Sequence, residues 1–96
     1  MTDRAAIYAA IDRERAYQDR KRPRTERLSL PGYLLVMRAE LDEAIESWVR
    51  GDGGIVPDAL REVLQVVAVG VAALEAHGVV ERPAVVFSLA GVEVSS

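Results

Sequence analysis

The stretch ALREVLQVVAVGVAALEAHG, from Ala59 to Gly78, most constrains what this chain can fold into. Its many valines would suit a buried strand, but about 20 residues between the start signal Pro57–Asp58 and a glycine is the length of a helix. From Val63 to Leu74 the segment is apolar nearly all round, which is typical of a helix enclosed by neighbours. Two other helices of the same chain cannot cover it completely, so the sequence predicts a dimer or larger assembly with this helix at its centre.

Two further helices are predicted ahead of this one. Helical periodicity favours the first from about Thr2, as the N-cap, to Asp19 or Arg20. The second has Pro31 in its first turn and ends at about Arg50, before the glycines of GDGG. Helical spacing predicts a buried apolar stripe on the second helix, formed by Leu34, Met37, Leu41, Ala44, Ile45 and Trp48. The predicted fold class is therefore all-α, with three main helices.

The chain is expected to hold one domain and a short tail. Residues 1–83 are predicted to form the helical domain, and residues 84–96 a C-terminal extended tail. The alternation in VVFSLAGVEV, from Val85 to Val94, suits a short strand or an arm laid on a partner subunit, and a ragged end fits equally well. The role of the tail stays open.

The composition narrows the classes of protein that the chain could be. Its 12 basic and 15 acidic residues give a net charge of −3, which argues against a protein that coats nucleic acid. The absence of cysteine excludes disulfides and thiolate chemistry and fits a reducing compartment, so we expect a cytoplasmic protein. The longest apolar run, Val66–Leu74, falls well short of the roughly 20 residues that cross a bilayer, so no membrane association is expected.

Two pairs of oxygen-bearing side chains stand three residues apart on the second and third helices. Glu40 with Glu43 and Glu62 with Gln65 each point along one edge of a helix. Taken singly, each pair has an ordinary explanation as solvated surface, and Glu62 also suits the first turns of a helix. The short connection GDGGIVPD makes the two helices antiparallel neighbours, so the pairs can face each other. Facing oxygens of this kind can form an oxygen cage, which is the type of ligand set that Mg²⁺ prefers.

The first helix carries two polar side chains, Glu14 and Gln18, in the same sector as its apolar residues. Either the helix frays after Asp12 and these side chains lie at the edge of a loose core, or the core that they face is itself polar. The second alternative would place them in the same pocket as the two oxygen pairs.

Three blocks of the sequence follow one another in this order: IDRERAYQDRK (Ile11–Lys21), ELDEAIESW (Glu40–Trp48) and REVLQVVAV (Arg61–Val69). Together they resemble the MazG-like members of the all-α nucleoside triphosphate pyrophosphatase superfamily, which carries an E-x-x-E pair on one helix and an E-x-x-D pair on the next. The resemblance covers roughly Ile7 to Gly78. It implies four-helix-bundle units formed on oligomerisation, as a homodimer or homotetramer. It also implies Mg²⁺-dependent hydrolysis, or hydrolysis with Mn²⁺ in its place, of a nucleoside triphosphate to a monophosphate and pyrophosphate.

The resemblance also implies roles for individual residues. Glu40, Glu43 and Glu62 would be the catalytic metal ligands, and Gln65 stands where the common pattern has Asp. A neutral amide removes one negative charge, which favours a one-metal site or a site without turnover. The residues expected to bind the substrate come from the first helix, its basic end and the start of the second helix: Glu14, Arg15, Gln18, Lys21, Arg24 and Tyr33.

Two other functions remain as alternatives. Gln65 keeps open a degenerate relative that binds nucleotides or a partner protein without turnover. The six basic residues between Arg13 and Arg24, with Tyr17 among them, could form a nucleic-acid patch, although Glu14, Asp19 and the overall acidity oppose this. The sequence argues against a nucleophilic triad, because the chain has one histidine, no cysteine and no G-x-S-x-G turn.

Overall fold

The computed structural model describes residues 2–22, 27–51, 56–83, 85–87 and 93–95. Within them the chain forms α1 (Arg4–Lys21), α2 (Leu30–Arg50) and α3 (Val56–His77), followed by the short strands β1 (Val85–Phe87) and β2 (Glu93–Ser95). The prediction of an all-α fold with three main helices is confirmed.

The first two helices begin at side chains that satisfy free backbone N–H groups. The cap of α1 is Asp3, one residue later than the predicted Thr2, and its carboxylate accepts a hydrogen bond from the Ala5 amide at 3.1 Å. Ser29 caps α2 in the same way, since its hydroxyl oxygen accepts from the Gly32 amide at 3.2 Å. These caps fix where α1 and α2 start.

Helix α3 lies between the other two helices, packing extensively against α2 and along a shorter contact against α1. In the described part of the chain the buried side chains are three alanines, Ala44 of α2 and Ala68 and Ala73 of α3. Small side chains allow the two backbones to approach closely. At Gly70 a Cβ atom would lie 3.3 Å from the terminal methyl group of Met37, so this side chain already fills the space beside the glycine. The α2–α3 pair is thus the tightest part of the fold.

The predicted buried stripe of α2 is wrong for most of its large members. Four of them are about half exposed, Leu34 (55%), Leu41 (48%), Ile45 (55%) and Trp48 (47%). The physical reason is that α2 packs against one neighbouring helix, α3, which covers only the side that carries Ala44. The chain by itself therefore leaves a continuous apolar face on α2, which we call the α2 face and define by these four residues.

A second uncovered apolar surface lies between α1 and α3. It is a groove of about 350 Å³ whose walls come from Thr2, Ala6, Ile7, Ala10 and Ile11 on one side and Leu60, Val63, Leu64 and Val67 on the other. We call it the α1–α3 groove. Helix α3 contacts both α1 and α2, but the chain alone does not enclose it.

The C-terminal region contains paired strands. β1 and β2 run antiparallel, with Val85 opposite Ser95 and Phe87 opposite Glu93. The remaining positions of the predicted tail, 84, 88–92 and 96, lie outside the described residues. Across the described ranges, none of the helices combines the length and apolar character that crossing a membrane requires.

Candidate metal centre and adjoining cavity

Three glutamates from two helices meet where α2 and α3 pack together. Glu40 and Glu43 of α2 and Glu62 of α3 each place one carboxylate oxygen so that all three oxygens lie within 4.8 Å of one another. Glu40 and Glu62 are half-buried, and Glu43 is exposed. The two predicted pairs therefore do face each other across the antiparallel helices. We call these three residues the acidic cluster.

Gln65 joins the acidic cluster at the fourth position. With its amide nitrogen turned towards the carboxylates, Gln65 donates to Glu40 Oε2 at 2.7 Å and to Glu62 Oε2 at 3.1 Å. This orientation follows from chemistry, because ionised carboxylates only accept hydrogen bonds and the amide oxygen would repel them. The amide thus forms a bridge between Glu40 of α2 and Glu62 of α3.

The carboxyl group of Glu40 lies in the most unfavourable electrostatic position of the cluster. Burial raises its pKa above the ordinary value, and the charge of Glu43, a hydrogen bond and charge from Glu62, and the charge of Glu14 raise it further. Glu14 belongs to α1, so all three helices contribute negative charge to one point. A divalent cation would relieve the repulsion that produces this shift.

The donor set fits magnesium. Oxygen ligands bound to Mg²⁺ at roughly 2.0–2.1 Å lie about 3 Å apart at adjacent positions and about 4.2 Å apart at opposite ones. Small rotations of the glutamate side chains are enough to bring oxygens within 4.8 Å of one another to these separations. The exposure of Glu43 also leaves room for water and phosphate oxygens in the remaining positions.

A cavity of about 330 Å³ adjoins the acidic cluster, and Glu40 belongs to both. Its floor is apolar, formed by Val36 of α2 and Val69, Ala72 and Ala76 of α3. Its rim carries four cationic side chains, Arg15, Lys21, Arg22 and Arg27. The volume is at the small end of the range of about 300–1,000 Å³ that is usual for ligand pockets. The cavity is therefore lined by carboxylates, those of Glu40, Asp19 and Glu75, as well as by cations.

Most of the predicted substrate-binding residues line this cavity: Arg15, Gln18, Lys21 and Tyr33. Glu14 is not among the lining residues, but its charge acts on Glu40. Arg24 lies outside the described residues. Arg27 also lines the cavity but was not predicted from the sequence. It lies in the connection between α1 and α2, where there is no helical periodicity to indicate which way a side chain points. Its place shortly before the Ser29 cap was the one available signal.

Arg15 is engaged by the protein itself. Its guanidinium donates to Glu75 Oε1 at 2.8 Å, to Asp19 Oδ1 at 2.9 Å and to Gln18 Oε1 at 3.0 Å, and the side chain is 12% exposed. Burial would lower its pKa, but the hydrogen bonds and charges of Glu75 and Asp19 outweigh this and raise the pKa. Because two carboxylates balance its charge, Arg15 ties α1 to α3 more than it attracts an anion.

The other cations of the rim are available to a ligand. The Lys21 ammonium lies 5.2 Å from the centroid of the Tyr17 ring, and a hydrogen bond and charge from Tyr17 raise the pKa of Lys21. Lys21, Arg22 and Arg27 are exposed, and none forms an ion pair with another residue in the ranges that the structure describes. These three form what we call the cationic rim.

Comparison with protein-family models, with curated proteins and with solved structures finds no match to this chain.

Proposed function

We propose that the protein is a Mg²⁺-dependent hydrolase of the MazG-like kind that cleaves a nucleoside triphosphate between its α and β phosphates. The observation that carries the proposal is the convergence of oxygens from Glu40, Glu43 and Glu62 within 4.8 Å at the side of the cavity. The resemblance of the three sequence blocks supports it, and so does the cationic rim of the same cavity. A polyphosphate needs both features, cations for its charge and oxygens for its metal.

The acidic cluster would hold the ion, and Gln65 would offer its amide oxygen as a fourth ligand after a half-turn of the amide. When bound, Mg²⁺, or Mn²⁺ with the same ligands, neutralises charge that develops on the phosphate oxygens. Gln65 adds no negative charge, so the cluster suits a single ion better than a pair.

The protein's own groups bind the triphosphate and handle the proton. Lys21 and Arg27 contact phosphate oxygens, and Tyr33 borders the space left for the base or sugar. A carboxylate of the acidic cluster takes a proton from the attacking water as the new P–O bond forms. The bond to the bridging oxygen breaks, and the products are a nucleoside monophosphate and pyrophosphate.

The test is release of pyrophosphate from a panel of ribo- and deoxyribonucleoside triphosphates with Mg²⁺ or Mn²⁺. Glu40→Gln is expected to reduce the rate by more than about 100-fold, because a metal ligand at the reacting end is lost. Glu46→Gln is the matched control, since Glu46 lies on the same helix but pairs with Arg50 at 3.7 Å on the exposed side. No turnover of any nucleotide, or equal rates for the two variants, would rule out the hydrolase.

A second function has one specific observation in its favour. The amide of Gln65 already bridges Glu40 and Glu62, so the cluster is held together by hydrogen bonds as well as by any ion. Such a site suits a module that binds a nucleotide without turnover. Calorimetry together with the pyrophosphate assay distinguishes the two functions. A binding module would bind a triphosphate in the presence of Mg²⁺ but would release no pyrophosphate.

We also propose that two copies of the chain associate as a homodimer, or as a homotetramer built from such dimers. The support is the pair of uncovered apolar surfaces, the α2 face and the α1–α3 groove. A helix is the natural occupant of a groove between two helices, and α2 of a second copy presents Leu34, Leu41, Ile45 and Trp48 for it. Docking of this kind would surround α3 with helices and build a bundle from two chains.

A further inference from the structure

We propose that His77 is a positioning residue that sets the affinity of the cavity for a polyphosphate. The inference rests on the proposed function in one respect, because it takes the cavity as the place where phosphates bind. It concerns the end of the cavity remote from the acidic cluster and a side chain that does not line the cavity.

His77 makes two contacts from the last turn of α3. Its Nε2 lies 2.9 Å from the carbonyl oxygen of Leu28, and since a carbonyl only accepts, Nε2 carries the proton and donates. Its ring also meets the ring of Tyr33 edge to face, with centroids 5.8 Å apart at an angle of 79°. One side chain therefore contacts both Leu28, which precedes the cap of α2, and Tyr33 in the first turn of α2.

Both contacts adjoin residues of the cavity. Leu28 directly follows Arg27, whose side chain belongs to the cationic rim, and Tyr33 lines the cavity itself. The segment between them is tightly packed, because a Cβ atom at Gly32 would lie 3.2 Å from the Leu28 Cβ. Movement of the Leu28 backbone thus displaces Arg27 and the first turn of α2 together.

The acidic cluster lies far enough from the contacts of His77 that a change at His77 should not disturb it. Tyr33 and Glu40 are separated by seven residues of α2, which is about 10 Å at a rise of 1.5 Å per residue. A change at His77 should therefore alter the binding of phosphate more than the reaction at the metal. This predicts an effect on KM and on ligand affinity with kcat nearly unchanged.

Two variants separate the contacts of His77. Glutamine places its amide nitrogen the same number of bonds from Cα as the histidine Nε2, so His77→Gln keeps the donor to Leu28 and removes the ring. His77→Phe keeps a ring against Tyr33 and removes the donor. If the hydrogen bond positions Arg27, only the phenylalanine variant should weaken the cavity, and the glutamine variant should be close to wild type.

The experiment titrates wild type and both variants with inorganic tripolyphosphate and Mg²⁺ by calorimetry and follows amide hydrogen exchange at residues 27–33 without ligand. We expect His77→Phe to bind tripolyphosphate about tenfold more weakly, which is what loss of one hydrogen bond is worth, and to exchange faster at these amides. We expect His77→Gln to stay within about threefold of wild type. In turnover, KM should rise about tenfold for His77→Phe while kcat stays within about twofold.

The remaining outcomes either contradict the role of His77 or distinguish that role from the proposed hydrolase activity. Equal affinities for wild type and His77→Phe, equal losses in both variants, or no binding of tripolyphosphate by wild type would overturn it. A fall in kcat with KM unchanged would do the same. Absence of pyrophosphate release by wild type, together with the expected pattern of tripolyphosphate binding, would remove the hydrolase and leave the role of His77 supported.

Discussion

The carboxyl group of Glu40 opposes folding when it is charged. Burial and the neighbouring acids raise its pKa, so the folded state holds this proton to a higher pH than the unfolded chain does. Between the ordinary glutamate value of 4.5 and the raised value, the folded state therefore binds more protons. Without a divalent cation, the free energy of unfolding is expected to fall as pH rises through this window.

Urea denaturation at a series of pH values, with chelator present, measures this dependence. Glu40→Gln should flatten it and raise the stability of the metal-free protein at neutral pH, while Glu46→Gln should keep the slope of the wild type. A wild-type stability that rises with pH across the same window would contradict the raised pKa. A substitution that raises the free energy of unfolding but lowers activity is typical of a binding site, because such a site holds groups that favour function at a cost in stability.

The acidic cluster could be predicted from the sequence because its geometry is local. Spacing of three residues on a helix and a short connection were enough to place Glu40 with Glu43 and Glu62 with Gln65 on facing edges. The partner of Arg15 could not be predicted, since Glu75 is 60 residues away along the chain and the pairing depends on how α1 lies on α3. The sequence shows that Arg15 is a cation, but it does not show that nearby carboxylates already neutralise this charge.

At the scale of helices, Arg15 of α1 bonds Glu75 of α3 and so links the two helices. Arg15→Met keeps much of the apolar stem and removes bonds to Glu75, Asp19 and Gln18. We expect it to lower the free energy of unfolding by about 1–3 kcal/mol, the usual range for charge-assisted hydrogen bonds of a largely buried group. Chemical denaturation monitored by circular dichroism measures the loss.

Arg61→Met provides the matched control. Arg61 bonds Asp58 at 3.1 Å, but its side chain is 67% exposed, so the change should be less than about 0.5 kcal/mol. Equal losses at both positions would mean that the bonds of Arg15 do not hold α1 in place.

Helix boundaries followed from the sequence because their causes are local. Ser29, Pro31 and the residues near Gly78 carry the signals for starting and stopping a helix, and Gly78 has a φ of +100° that suits glycine. The burial of individual side chains was predicted less well from the sequence, because it depends on how many other helices pack against a given helix. The large side chains of α2 have the right spacing for a core, but one neighbouring helix covers only part of that face.

For the whole molecule, a core of three alanines in the described residues is too small to account for a stable domain. The apolar area that would normally supply stability lies on the α2 face and in the α1–α3 groove. Stability should therefore depend on association, and the melting temperature of wild type should rise with protein concentration. Sedimentation and thermal melts over a range of concentrations measure both.

A charge on the α2 face tests which surface is responsible. Ile45→Glu is expected to give a monomer with a lower melting temperature, because the carboxylate would be buried without a partner in the interface. Val80→Glu is the control, since Val80 is 96% exposed and lies beyond α3. A wild-type protein that sediments as a monomer at all concentrations, or an Ile45→Glu variant that still associates, would contradict the proposed dimer.

The bridge made by Gln65 also bears on the order of events as the chain folds. Sites built only from anionic ligands tend to assemble together with their ion, because like charges keep the elements apart until it arrives. Here amide donors join Glu40 and Glu62 across α2 and α3 before any ion is needed. We therefore expect α2 and α3 to pack together without metal. The ion can then enter and leave together with each ligand, while the protein stays folded.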